Sequence, residues 1–151
     1  MLRDQLSQAL KQAMRDRDEA GVSTIRMILA GIKDRDIAAR GSGVTTGIDD
    51  GQILDLLQKM IKQREESVAM YEKGGREDLV AKERREIEII RRYLPVQMSD
   101  AELEAAVAET RDAIGAAGVK DIGRMMAELR TRYAGRMDFG KASGVAKRLL
   151  S

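Results

Sequence analysis

The side chains able to do chemistry in this chain are carboxylates, amines, guanidinia and hydroxyls, because its 151 residues include no cysteine and no histidine. That composition removes the thiol nucleophile, Cys/His zinc sites, disulfides and the usual general base near neutral pH. No paired nucleophile and base is evident among the rest, so no self-contained catalytic site, metal or cofactor is expected. Three charged residues nevertheless stand where apolar ones belong. Arg64 interrupts the helical stripe between Ile61 and Val68, while Glu83 and Glu86 interrupt the one between Leu79 and Ile90. If the chain turns at Gly74-Gly75, Arg64 comes opposite the Glu83 to Glu86 turn, which predicts a partly buried ion pair. Left without a partner there, a charge is strongly destabilising. One reading is a pair that fixes helix register. The other is a polar pocket in which Arg64 and Lys62 hold a ligand carboxylate or phosphate.

A second constellation lies near the C-terminus. On a helix opened by Asp138, a turn of about 100° per residue puts Phe139, Ala142, Val145, Ala146 and Leu149 on one face. Gly140 and Gly144 fall on the other, flanked by Lys141, Lys147 and Arg148. Each glycine costs a helix about 1 kcal/mol relative to alanine. Another helix packing closely, or a phosphodiester chain approaching the backbone between the cations, would give them a purpose; a solvated face with incidental glycines would not. In the nucleic-acid reading, Lys120, Arg124, Arg130, Arg132 and Arg136 widen the basic patch. With three tyrosines and one phenylalanine in the chain, few aromatics are available for base stacking, so recognition is expected to follow shape more than sequence. The glycine-rich run Gly41-Ser42-Gly43-Val44-Thr45-Thr46-Gly47 lacks the Gly-Lys-Ser/Thr ending of a phosphate loop and joins two helices, so it reads as a flexible connector.

The elements that must position these residues are helices. Ala, Leu, Ile and Met supply the apolar mass, which predicts an all-α fold. Leu2, Leu6, Ala9 or Leu10, Ala13 and Met14 mark a first helix. Asp18 starts a second with Val22, Ile25, Ile28, Leu29 and Ile32 inward. Asp49 or Asp50 opens a third, carrying Ile53, Leu57, Ile61, Val68 and Tyr71 to about Glu72. After Gly74-Gly75 a fourth runs to Tyr93 or Leu94 with Leu79, Ile87, Ile90 and Leu94 inward, forming an antiparallel hairpin with the third.

Pro95, the only proline, ends that pattern. Ser99 and Glu102 then form a capping box for a fifth helix over Leu103, Val107 and Ile114, ending near Ala116-Ala117-Gly118. A sixth is capped by Asp121, packs Ile122, Met125, Met126, Leu129 and Tyr133, and closes at Gly135. The charge changes across the proline. Residues 1 to 95 carry 18 basic against 17 acidic side chains, residues 96 to 112 one against five, and residues 113 to 151 eight against three. A helical domain over residues 1–94, a hinge at 95–98 and a three-helix tail domain over 99–151 follow. No stretch approaches a membrane span and the start lacks the apolar core of a signal peptide, so a cytoplasmic location is expected.

Ordered motifs in the chain resemble the GatB/YqeY group. They are Lys62-Gln63-Arg64-Glu65-Glu66-Ser67, Tyr71, Gly75-Arg76-Glu77-Asp78-Leu79, Glu83, Glu86 and Tyr93-Leu94-Pro95-Val96-Gln97-Met98-Ser99. Ile25-Arg26-Met27, Lys120-Asp121-Ile122-Gly123 with Met125-Met126, and Gly135-Arg136-Met137-Asp138 extend the likeness over nearly the whole chain, closest to the free-standing YqeY-like members. The resemblance implies a two-part helical protein similar to the C-terminal region of the B subunit of tRNA-dependent amidotransferase, the part that recognises tRNA. It also implies a label of carbon-nitrogen ligase with glutamine as amido-N-donor, although the glutaminase and phosphoryl-activating parts of that enzyme have no counterpart here. The expectation is a tRNA-binding accessory, acting alone or beside an aminoacylation or amidation complex. The alternatives are a protein-interaction module or an amidotransferase subunit drawing on Glu83, Glu86 or Lys62.

Overall fold

The computed structural model describes residues 1–151 and is all-helical. It divides into two compact units, Met1–Leu94 and Pro95–Ser151. The first contains α1 (Leu2–Arg15), α2 (Glu19–Gly41), α3 (Asp50–Lys73) and α4 (Glu77–Arg91). The second contains α5 (Asp100–Ile114), a 3-10 turn (Val119–Asp121), α6 (Ile122–Arg132) and α7 (Phe139–Leu150).

In the first unit α3 packs along α4 across the Gly74-Gly75 turn, where Gly75 has φ +69° and ends the helix in the left-handed region. Two ion pairs, Glu65–Arg91 and Glu72–Arg84, join the helices in antiparallel register one heptad apart. The core joins Leu6, Ile28, Ile32, Ile53, Leu57, Ile87 and Ile90. Ile89 faces a second cluster with Ala13 and Ile25, so α4 buries two sides. This explains why Ile89 lies off the single stripe read from the sequence. Helix α4 ends at Arg91, earlier than expected, and Tyr93 and Leu94 pack on the core from the following turn.

Helix starts follow local chemistry. The Asp18 carboxylate accepts from Gly21 N–H at 3.0 Å, and Asp49 forms a reciprocal capping box with Gln52. The connector between α2 and α3 is pinned at its far end. Arg3 donates to both Asp36 oxygens at 2.8 and 3.1 Å and to the Ile48 carbonyl at 3.1 Å, while Ile48 N–H donates to Asp36 at 2.8 Å. Gly47, at φ +88°, lies so close to this clasp that a Cβ would sit 2.8 Å from the Arg3 guanidinium. Nothing in the sequence pattern announced this clasp.

The second unit packs Leu103, Val107, Met125, Leu129, Met137, Ala142, Ala146 and Leu150. Ser99 and Glu102 form the capping box as expected. The end of α5 falls earlier than expected, at Ile114, because Gly115 takes the left-handed cap at φ +67°. Asp121 stands at the start of α6 without capping it: its carboxylate instead accepts from Ala117 N–H at 3.0 Å. That bond first, then Arg124, holds Asp121 below the usual carboxylate range. Helix α6 stops at Arg132, before Gly135. The stretch expected as a hinge is laced onto this unit, with Met98 N–H donating to the Arg136 carbonyl at 2.8 Å and Arg136 Nε to the Val96 carbonyl at 3.2 Å. No helix is long and apolar enough to cross a membrane.

Candidate nucleic-acid interface

Helix α7 is set by Asp138, whose carboxylate accepts from Lys141 N–H at 3.1 Å, and by Ala142, Ala146 and Leu150, buried in the core of the second unit. With that face fixed, helical geometry turns Lys147, Gly140, Gly144, Arg148 and Lys141 outward in one arc, and all five are exposed. A Cβ on Gly144 would meet nothing within 4 Å, so no other helix of the second unit occupies the notch. Close helix packing is thus not its purpose within that unit.

The cations around the notch differ in what holds them. Lys141 pairs with Asp100 at 3.2 Å and Arg148 pairs with Glu104, two acids one turn apart on α5. Arg132 is bound to Glu128 at 2.8 Å, which raises its pKa further. Arg124 donates to the Ile114 carbonyl at 2.9 Å and pairs with Asp121 at 3.4 Å. Arg136 is half-buried on the Val96 carbonyl. Lys120 and Lys147 are exposed and in no ion pair, and Arg130 lies over the Phe139 ring, 4.9 Å from its centroid. The ten residues expected to meet RNA therefore fall into an open arc of five on α7, the unpaired Lys120, Arg130 over Phe139, and Arg124, Arg132 and Arg136 engaged within the fold. Paired surface cations remain available, because exposed ion pairs contribute only about 0–1 kcal/mol. The stacking of Arg130 on Phe139 bridges two helices and has no local spacing that would have revealed it.

On the first unit, Arg64 Nε donates to Glu86 Oε2 at 2.9 Å, with the two side chains 13% and 11% exposed. Its other nitrogens donate to the Met60 carbonyl at 3.1 Å and meet the Met27 sulfur at 3.5 Å. Each nitrogen of the guanidinium thus has a partner, which favours the register pair over the ligand pocket. The partner is Glu86; Glu83 is half-buried nearby on α4. A groove of about 830 Å³ does open on the α3/α4 hairpin, over Val68 and Ile87 and between the Glu65–Arg91 and Glu72–Arg84 pairs. Neither Arg64 nor Lys62 lines it.

An all-helical chain with these motifs matches the family model described as Yqey-like protein over residues 3–150, and the chain belongs to that family. Among its relatives is the "Altered inheritance of mitochondria protein 41, mitochondrial" of Lachancea thermotolerans, 42% identical over 105 residues, covering 68% of this chain and 54% of that protein. The protein of the same name in Vanderwaltozyma polyspora is 33% identical over 123 residues, covering 78% and 64%. That of Saccharomyces cerevisiae strain YJM789 is 36% identical over 108 residues, covering 70% and 56%. The matched stretch spans between about half and two thirds of these relatives. Their names overturn the cytoplasmic expectation, since all three are designated mitochondrial. The expectation rested on the lack of a membrane span and of a secretory leader, and neither bears on import into an organelle, which uses a different kind of leader.

Proposed function

We propose that the chain is an RNA-binding accessory protein, with tRNA as its partner, that does no chemistry alone. The observation that carries this reading is the open notch at Gly144 inside an arc of Lys147, Arg148 and Lys141. Cations spaced around exposed backbone suit a phosphodiester chain, which needs close approach and charge neutralisation together. The resemblance, read from the sequence motifs, of the tail to the tRNA-recognising region of the amidotransferase B subunit supports tRNA over other RNAs. It also supports action beside an amidation or aminoacylation complex, where the carbon-nitrogen ligase chemistry would belong to other subunits. Lys120 and Lys147 meet phosphates directly, and Lys141 and Arg148 exchange Asp100 and Glu104 for them. Four or five such contacts give a log-affinity against log-salt slope of about −3 to −5. Titration of labelled tRNA between about 50 and 200 mM salt measures it, and affinity that ignores salt overturns the reading. Reversal of Lys141, Lys147 and Arg148 to glutamate abolishes tRNA retention.

The groove on the α3/α4 hairpin favours a second reading, docking of a protein partner on the first unit. The same triple reversal leaves that docking intact, which separates the two.

A further inference from the structure

Of the eight basic residues from Lys120 onward, four are paired with carboxylates and Arg136 donates to a carbonyl. Arg130 is held differently, with its guanidinium carbon over the ring of Phe139 and 4.9 Å from its centroid, and with no carboxylate or carbonyl as partner. Phe139 is half-buried against the core of the second unit, so the ring is a fixed base, and Arg130 above it is exposed. A guanidinium is planar and weakly hydrated, and its face stacks well on another flat π-system. Unstacked RNA bases are the flat groups that proteins commonly seat on aromatic rings and arginine planes.

The location connects this plane to the notch. Phe139 precedes Gly140 at the start of α7, and Phe139, Ser143 and Lys147 follow one another at helical four-residue spacing. Lys147 therefore lies about 12 Å further along the helix and about 80° round it from Phe139, toward the exposed arc that holds Gly140 and Gly144. We infer that Arg130 and Phe139 form a platform for one unstacked nucleobase, whose strand runs its phosphates past Gly140 and Gly144 toward Lys147. This rests on the RNA reading above and adds to it a preference for a loop or single-stranded end over duplex, whose bases hide their faces. It sets one base contact beside the recognition by shape expected from the sequence.

The test compares the full chain's affinity for a fluorescein-labelled adenylate decamer and for an equally charged decamer with abasic riboses, read by fluorescence anisotropy at fixed salt. The unmodified protein binds the adenylate decamer about tenfold tighter, within the range of a single stacked base. Arg130→Lys, which keeps the charge and loses the plane, brings the ratio to within about twofold, and Phe139→Leu, which keeps apolar packing, does the same. Circular dichroism confirms that each variant is folded, and Arg130→Lys stands alone if Phe139→Leu is not. Equal binding of both decamers by the unmodified protein, or an unchanged ratio in Arg130→Lys, overturns the platform and leaves the phosphate-contact reading intact. Failure to bind either decamer overturns the platform and removes support from the RNA reading as well.

Discussion

Single side chains in this protein are best judged by what they lose when a partner goes. Replacing Arg64 with leucine leaves the Glu86 carboxylate, 11% exposed, without its cation. The expected cost is about 3 kcal/mol, recovered in large part by changing both residues to leucine, as urea denaturation of the three variants would show. A ligand-binding role predicts the opposite pattern, with stability little changed. The hydroxyls of Thr24 and Thr110 are buried without a hydrogen-bond partner. Valine has the same shape and no hydroxyl, so each threonine-to-valine change should leave the thermal midpoint unchanged or raise it, by up to about 1 kcal/mol in stability. Asp36 is held below the usual carboxylate range, first by the hydrogen bond from Arg3 and then by Ile48 N–H. A lowered folded-state pKa adds stability that is fully present above the unfolded value of about 3.9 and is lost as pH falls through the folded value. The gap in urea midpoint between the unmodified protein and Asp36→Asn should therefore be widest near neutral pH and close in strong acid. A gap that persists undiminished in strong acid would rule out this electrostatic origin.

At the scale of elements, what the sequence made legible was chemistry that acts within three or four residues. The starts at Asp18, Asp49, Ser99 and Asp138 are each defined by a side-chain oxygen and a backbone N–H three residues on. The Arg64–Glu86 contact was legible too, because Gly74-Gly75 fixes where the hairpin folds back. Helix ends were harder. The pattern puts the stop of α5 near Gly118, and the stop at Gly115 goes with Asp121 reaching back to Ala117 N–H, a contact across the turn that no periodicity shows. The pairing of Lys141 and Arg148 with α5, and the seat of Arg130 on Phe139, likewise depend on how three helices assemble. Helix α7 itself offers a direct trial. In Gly144→Ala the new methyl enters open space, so stability should rise by about 1 kcal/mol. Affinity for tRNA should fall in the same variant if a phosphodiester chain lies against that backbone. A gain in melting temperature with undiminished binding would remove the notch from the interface.

For the molecule as a whole, the two units build their cores from separate sets of residues, Leu2 to Ile90 in one and Leu103 to Leu150 in the other. The change in charge balance at Pro95 coincides with the start of the second unit. A fragment of residues 1–94 should fold cooperatively by itself, while one of residues 95–151, close to the size at which a single core becomes marginal, should unfold at lower urea. Far-ultraviolet circular dichroism of the two fragments measures both. The clasp of Arg3, Asp36 and Ile48 has a practical corollary. It fastens the connector only from Gly47 onward, whereas Thr45 and Thr46 are exposed and outside its hydrogen bonds. Foreign sequence such as an affinity tag or a fluorescent domain can therefore be spliced between those threonines, because loop entropy grows only slowly with length. The same insertion two residues further on, after Gly47, would pry the first helix from its anchor.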